Sequence, residues 1–524
     1  MPNLTEMLTR REAIQAFAAA APLWGAAGGV LTARAFDPAG KPAGSRQLES
    51  LLLINADGRP FELVPQIKGD GIVTIAQPNQ KYELMMRLPV RDFGEVYLYA
   101  DDVRGPEVLL NYEFARSRAA FVRRYVKAAQ AEGVGFSAGL MKRLEAGEAA
   151  LKRATSASEI PVRVRHSNDS LAETMWAGEM AALERARHRI RRNGSRPGFL
   201  FGANAFGYAR SEEYSRQFNA LLNYATLPFY RATVEPTEGK LDYSRVQAIL
   251  DKTAGTPLLV KGHPLLWMNR ASVPAFLRKK SWEEVKASCR DYILRSVSRF
   301  RSRIPTWDVI NEAHDWAMEL KYDPQQLVEL TALASQTTRL ADPTAFRIVN
   351  NCCLWAEYVA TRLSGAGTLD RPSRTPVEYL RAVRDARIEY DAIGLQIYSP
   401  GRDMLEIERH IERFAVFGKP LHITELGIPS ANNRDTVSTY EERGRRIPYP
   451  IDAVWHGSEW SEQIQADWVE QFYTICYSMP QIEAITWWDF SDPGYMPNGG
   501  FVTRELRPKP AYQRLGKLIA EWRA

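Results

Sequence analysis

Downstream of Pro197 the chain repeats one pattern: a short apolar run ending in a polar side chain, then a stretch of helical periodicity. The runs are Phe199–Asn204, Thr226–Arg231, Leu258–His263, Thr306–Asn311, Phe346–Asn351, Asp391–Tyr398, Leu421–Glu425 and Ala484–Trp488. Strand and helix text alternating in this way predicts an α/β fold of the (β/α)8 TIM-barrel type over residues 197–524. No internal repeat points to a solenoid.

Residues 48–112 alternate apolar and polar positions instead. Leu51–Ile54, Gly71–Ile75, Tyr82–Leu88 and Val96–Ala100 read as strands, with turns at Asn55-Ala56-Asp57-Gly58 and Pro78-Asn79. They predict a small β-sandwich-like unit, with a structural accessory as the default reading. Carbohydrate binding rests only on Phe61, Tyr82, Phe93, Tyr97, Tyr99 and Tyr112. Residues 113–155 and 169–193 have helical period, so 48–196 reads as a β-rich, then helical, N-terminal accessory region. The Pro/Gly-rich stretch 36–47 reads as a linker. Arg185, Arg187, Arg189, Arg191, Arg192 and Arg196 crowd one short stretch without sharing a helical face, which predicts a solvated helix end.

The first 35 residues have another character. Arg10-Arg11 precede a weakly apolar Ala/Gly-rich run, and Ala33-Arg34-Ala35 has small residues where a signal peptidase reads them. Residues 1–35 are expected to be a twin-arginine-like export signal, giving a periplasmic or secreted protein. The run is too weakly apolar to span a membrane, and no other stretch approaches a span.

Composition narrows this picture without redrawing it. The chain has 524 residues, 45% of them hydrophobic and 25% charged, as in ordinary globular proteins. A net charge of +6 is too mild to point to nucleic acid. Four cysteines cannot frame so long a chain with disulfides, and neither they nor the histidines have metal-ligand spacing, so no metal or other cofactor is expected. The aromatic load is more informative. Ten of the 13 tryptophans fall between Trp267 and Trp488, inside the predicted barrel, where flat rings can stack on sugars.

The C-terminal ends of barrel strands feed the active-site face. Read in order, those ends carry Asn204, Tyr230, His263, Asn311-Glu312, Asn351, Gln396 and Tyr398, Glu425, and Trp487-Trp488. A lone glutamate there is commonly a salt-bridge or cap partner. Two glutamates, on the fourth and seventh strands, are an acid and a base placed across one mouth, which is what glycosidic cleavage requires.

These residues carry a resemblance. Trp307-Asp308-Val309-Ile310-Asn311-Glu312 resembles the acid/base signature of glycoside hydrolase family 10, the β-1,4-xylanases, and Ile423-Thr424-Glu425-Leu426 resembles its nucleophile signature. Phe218-Asn219, Glu235-Pro236, Gly262-His263, Asp391–Gln396, Thr486-Trp487-Trp488 and Pro508–Tyr512 follow in family order over residues 199–515. The resemblance implies retaining double displacement, with Glu425 as nucleophile and Glu312 as acid/base. It implies that Asn311 binds the 2-hydroxyl of the attacked sugar, that His263 binds a glycone hydroxyl and that Gln396 orients Glu425 or the sugar. Trp488 would be the glycone platform, with Trp267 packed near the same subsite; Asn204, Tyr230 and Tyr398 complete the expected substrate-binding set.

The expected substrate is a β-linked polysaccharide, oligosaccharide or glycoside, foremost β-1,4-xylan or its oligosaccharides. Departures from the family pattern keep two alternatives open. The family's Glu-Asn-x-x-Lys cluster is replaced by text ending in Phe229-Tyr230. Met268 stands for a His, Tyr398 for the His that supports the nucleophile, Met496 for a Trp and Asp489 for a Gly. These changes fall on the glycone side. One alternative is a retaining exo- or aglycone-specific β-glycosidase acting on a non-xylan plant glycoside. The other is a catalytically weak carbohydrate-binding protein. The charged stretch 432–461 is expected to wall or cover the mouth.

Overall fold

The computed structural model describes residues 29–103, 105–314, 318–364, 367–368, 373–398, 401–431, 439–442, 445–448, 454–496 and 498–523. Residues 1–28, which hold most of the expected export signal, lie outside the described residues. The chain divides into two units, residues 1–181 with 355–363, and residues 182–354 with 364–524.

In the second unit, eight parallel strands close into a barrel. In chain order they are Leu200–Asn204, Tyr224–Pro228, Leu259–His263, Thr306–Asn311, Phe346–Asn351, Ala392–Tyr398, Leu421–Gly427 and Ile482–Trp487, here numbered one to eight. Strand eight pairs with strand one (Thr486 opposite Gly202), and strand three pairs with strand four (Gly262 opposite Trp307). Between strands run the helices Glu212–Leu221, Ser244–Thr253, Trp282–Phe300, Pro324–Ala341, Pro376–Asp385, Met404–Ala415 and Glu462–Ser478, and Pro510–Arg523 follows strand eight.

Local sequence explains where these helices begin. Ser281, Asp323 and Thr375 each accept a bond from the N3 backbone N–H, and the side chains of Glu284, Gln326 and Glu378 each accept one from the cap's own N–H. Gly262 is required sterically, because a Cβ there would enter the Trp307 ring.

Seven predicted strands fall within two residues of the observed ones. The second is shifted: it spans Tyr224–Pro228, and a helical turn begins at Arg231. The apolar text Phe229-Tyr230 extended the expected run. Pro228 ends the strand, so Tyr230 belongs to the loop beyond it.

The arginine cluster is a second correction. Arg187 pairs with Glu470 at 2.9 Å, and Arg185 and Arg189 both approach Glu408, at 3.7 and 3.5 Å. Arg196 donates to the carbonyls of Tyr477 (2.7 Å) and Met479 (3.1 Å). Only Arg187, Arg191 and Arg192 of the cluster are exposed. The remaining positive charges fasten this segment to barrel helices.

The first unit contains two sheets, in the order Gln66–Gly69, Ile72–Ala76, Val30–Arg34, Glu107–Leu109 and in the order Leu52–Ile54, Glu83–Val90, Gly94–Ala100. Leu31, Ala33, Val73, Leu84, Met86 and Leu98 share one core, which supports the sandwich-like reading. The helices Leu110–Ala131, Ala138–Ser156 and Ile160–Asn193 follow, so the third expected helix starts earlier and is much longer. The unit boundary at 181/182 falls inside it rather than at 196.

Two expected boundaries fail here for the same reason. Val30–Arg34 is an interior strand, antiparallel to Ile72–Ala76 and parallel to Glu107–Leu109, and Leu31, Ala33 and Ala35 are fully buried. A cut after Ala35 would remove that strand. The supposed linker is also folded in: Phe36 N–H donates to Asn111 Oδ1 at 2.9 Å, and Ala43 is buried. The aromatics considered for sugar binding are packed as well. Phe93 is buried, Phe61 and Tyr82 lie against the main core, Tyr97 and Tyr99 lie against Leu52 and Met85, and the Arg163 guanidinium covers Tyr112 at 4.0 Å. The structural accessory is the reading they fit.

Candidate active site

The polar ends of strands three to eight converge on the C-terminal mouth of the barrel. Glu312 follows strand four with a left-handed backbone (φ 55°), an uncommon conformation for a non-glycine residue that costs on the order of 1 kcal/mol. The bond from its N–H to Asn350 O (2.9 Å) holds that turn in place. Its Oε1 accepts from Gln396 Nε2 at 3.0 Å, and its Oε2 accepts from Trp267 Nε1 at 2.9 Å. Across the mouth, Glu425 Oε2 accepts from the Tyr398 hydroxyl at 2.8 Å, and its Oε1 accepts from Asn350 Nδ2 at 3.1 Å.

A chain of amides joins the two carboxyls. Asn350 Nδ2 also donates to Asn311 Oδ1 (2.7 Å), which accepts a second bond from Gln396 Nε2 (3.2 Å), the nitrogen that meets Glu312. Three side chains on strands four, five and six therefore fix both glutamates at once. The glycine at 394 makes room for the centre of this bridge, since a Cβ there would crowd Asn350 and come within 2.8 Å of Thr424 Cγ2. The Thr424 hydroxyl also donates to Asn350 Oδ1, which orients the amide.

Both glutamates are buried, at 5% and 6% exposure. Burial lifts the Glu312 carboxyl to about 7, against the bonds it accepts from Gln396, Trp267, Asn311 and Cys352. Burial, then the facing Glu312 charge, lifts Glu425 to about 8. The two carboxyls thus titrate as a pair that holds one proton near neutral pH.

Beneath Glu425 is a buried ionic group that the strand-end reading passed over. Asp308 Oδ2 lies 2.8 Å from Lys261 Nζ and 2.7 Å from His263 Nδ1, and neither Asp308 nor Lys261 has exposed surface. Burial pushes the Asp308 carboxyl up, but Lys261 and His263 more than offset this and hold it below its ordinary value. Burial keeps His263 low despite Asp308, so its ring is neutral. With Nδ1–H donated to Asp308, Nε2 is a bare acceptor 3.8 Å from Glu425 Oε1.

The structure brings Glu312, Glu425, Asn311, His263, Trp267, Gln396 and Tyr398 into one connected group, with corrections of detail. Gln396 binds Glu312 and Asn311 rather than Glu425, and the Trp267 indole N–H is taken by Glu312. Trp488 packs edge-on to His263 at 5.0 Å, and Tyr230 does so at 5.8 Å. Asn204 stands apart from the carboxyl pair and hydrogen-bonds Asp489. At the end of strand five it is Asn350 that serves the site, while Asn351 Nδ2 turns to the carbonyls of Val349 and Gly394. Cys352, whose Sγ lies 3.5 Å from His314 Nε2, hydrogen-bonds Glu312, so this thiol belongs to the site. All four cysteines are free. Residues 432–438, 443–444 and 449–453 of the expected 432–461 wall lie outside the described residues; within it, Thr439–Glu442 pairs with Arg445–Pro448 and Val454–Trp455 with Ser458–Glu459.

A closed βα barrel with two buried carboxyls set across its C-terminal mouth is the site plan of a glycoside hydrolase. Its family follows from the match of residues 198–517 to the model of glycosyl hydrolase family 10, to which the chain belongs. Among related proteins, endo-1,4-beta-xylanase B of Thermotoga neapolitana is 24% identical over 351 residues, covering 62% of this chain and 88% of that protein. Endo-1,4-beta-xylanase B of Paenibacillus barcinonensis is 25% identical over 309 residues, 54% of this chain and 83% of that protein. A solved family 10 structure from Paenibacillus barcinonensis, 20% identical, covers 64% of this chain and 97% of its own, with a TM-score of 0.47.

Proposed function

We propose that the protein is a retaining β-glycosidase that cleaves β-1,4-xylan-type chains or oligosaccharides by double displacement. The observation that carries this is the amide bridge Asn311–Asn350–Gln396, which clamps one carboxyl to the other while giving each its own donor, Trp267 for Glu312 and Tyr398 for Glu425.

In the first step the Glu425 carboxylate bonds to the anomeric carbon as the glycosidic C–O bond breaks, and the leaving oxygen takes the Glu312 proton. In the second, Glu312, now a carboxylate, takes a proton from water. The water oxygen bonds to the anomeric carbon and the ester to Glu425 breaks. The productive form has the shared proton on Glu312. Both carboxyls are held well above the usual carboxylate range and share the proton, so the form with the proton on Glu312 is accessible near neutral pH.

Tyr398 and Asn350 steady the Glu425 charge. The ester removes that charge, which lets Glu312 give up its proton to the leaving group and then act as a base. His263 Nε2 faces Glu425 Oε1 at 3.8 Å, where a sugar hydroxyl would lie.

The test is turnover on xylan, arabinoxylan and aryl β-xyloside, glucoside and arabinoside by the native chain and by Glu425→Gln. Turnover that the substitution abolishes without unfolding the protein supports the reading. Absence of turnover on all of them, with sugar affinity unchanged in Glu425→Gln, contradicts it.

Export is part of the same proposal, with a revised processing point. Leu31 and Ala33 of the interior strand Val30–Arg34 are buried in the sheet's core, which supports cleavage upstream of Val30. N-terminal sequencing of the exported protein checks it, and a start at Phe36 contradicts it.

A further inference from the structure

We propose that the glycone side of the mouth is closed by a ring of aromatic side chains, so that the site holds one sugar and the enzyme removes single terminal glycones. This rests on the double-displacement reading above.

Four side chains from the ends of strands one, two, three and eight touch in a closed circuit. Tyr230 meets Phe206 at 6.0 Å between centroids, Phe206 meets Trp488 at 5.8 Å, Trp488 meets His263 at 5.0 Å, and His263 meets Tyr230 at 5.8 Å. Every contact is edge-to-face, within the 4.5–7 Å range of rings in direct contact, so no pyranose passes between them.

The circuit is held from behind. The Arg245 guanidinium lies over Phe206 at 5.6 Å. Asp489, next to Trp488, accepts from Met496 N–H at 2.8 Å and from Asn204. A Cβ at Gly494 would enter the Asp489 carboxyl, so the loop after strand eight is clamped onto it.

The circuit flanks the glycone. Glu425 keeps the glycone as an ester, and His263 Nε2 reaches to 3.8 Å of its Oε1. Trp488 N–H donates to Leu426 O, one residue past Glu425, at 2.7 Å. The Tyr230 ring also lies 5.9 Å from that of Trp267, whose indole N–H donates to Glu312. A sugar esterified to Glu425 therefore meets a wall where a second glycone sugar would continue the chain.

The experiment compares kcat/KM for an aryl β-xyloside and the matching aryl β-xylobioside, and follows the products from xylohexaose. An open second subsite would favour the disaccharide glycoside by about tenfold or more, since remote binding energy lowers the barrier. The closed wall predicts a monosaccharide glycoside at least as good, and xylohexaose shortened one xylose at a time. Phe206→Ala and Tyr230→Ala, checked for folding by thermal melting, should shift the ratio toward the disaccharide by about tenfold. Tyr230→Phe, which keeps the ring, should leave the ratio where it is. A native preference for the xylobioside of tenfold or more, or mid-chain products from xylohexaose, overturns the wall and leaves the mechanism standing. Inactivity on both glycosides overturns the parent reading, and the wall with it.

Discussion

The two sides of the barrel mouth are built on opposite principles. On strands four to seven, with Trp267 from the segment after strand three, every functional side chain is tied to another by a directional bond: Trp267 to Glu312, Glu312 to Gln396, Gln396 to Asn311, Asn311 to Asn350, Asn350 to Glu425 and Glu425 to Tyr398. On strands eight, one, two and three the side chains at the mouth meet ring against ring, with His263 also hydrogen-bonded to Asp308 beneath. A bonded network fails when one member is changed, because its partners are left buried and unpaired. An aromatic wall defines shape, and a changed ring alters what fits before it alters the chemistry. Chemistry is therefore locked on one side of the barrel and specificity is open to change on the other. The departures from the family pattern at Tyr230 and Asp489 fall on the second side.

The sharpest way to break this comparison is to remove the carboxyl proposed as nucleophile. Glu425→Gln should lower turnover by more than about 10⁴-fold on every substrate, as loss of a covalent catalyst does. Initial rates on an aryl glycoside measure it. Retention of even a hundredth of the activity would place the nucleophile elsewhere.

Glu312→Gln should cost about 10²–10⁴-fold on substrates with poor leaving groups and far less on a dinitrophenyl glycoside, whose leaving group needs no proton. It should also move a limb of the pH profile. The Glu312 charge holds Glu425 up, so without it Glu425 ionises at lower pH, and the acid limb on the activated glycoside should shift downward. An unmoved limb would mean that the two carboxyls do not interact. In the native enzyme only the singly protonated pair is productive, so kcat/KM should fall on both sides of the interval from about 7 to about 8.

Tyr398→Phe removes one donor from a charged acceptor, a bond worth about 1.5–3 kcal/mol, and should lower kcat/KM by roughly 10–100-fold. Phe206→Ala, in the wall but away from the carboxyls, should do the reverse of all three: a small change in turnover of a monosaccharide glycoside and a larger change in which glycoside is preferred.

The smallest effect expected is on stability, and its sign is opposite to that on activity. The folded-state value of Glu425 is raised, so its stabilising contribution is complete below about 4.5 and is lost as pH rises through about 8. Glu425→Gln removes this liability. The melting temperature should rise by roughly 2–4 °C per kcal/mol recovered, and more at pH 9 than at pH 5. Thermal melts at the two pH values check it, and equal shifts at both would contradict the buried-charge account.

Much of the barrel, and the placing of two glutamates at its mouth, was legible in the sequence, because apolar runs ending in polar residues mark barrel strands whatever their chemistry. Asn350 was not, because it stands beside Asn351 and the face each residue occupies depends on the local pleat. Asp308 and Lys261 sit within apolar strands, where their burial as an ion pair leaves no trace in the pattern. Phe206 lies past a strand end, in a stretch with no periodicity, so its place in the aromatic circuit depends on tertiary structure alone. The N-terminal boundary misled for a related reason. Small residues at Ala33 and Ala35 satisfy a signal peptidase and also suit the buried face of a strand, and their alternation with Leu31 was the sign of the second.

The central claim is that Glu425 and Glu312 work as nucleophile and acid/base of one retaining site. NMR of the anomeric protons during the first minutes of hydrolysis of an aryl β-xyloside tests it most directly. The account predicts that the β-anomer of the sugar is released first and only later equilibrates with the α-anomer. Release of the α-anomer first would mean inversion and would contradict it.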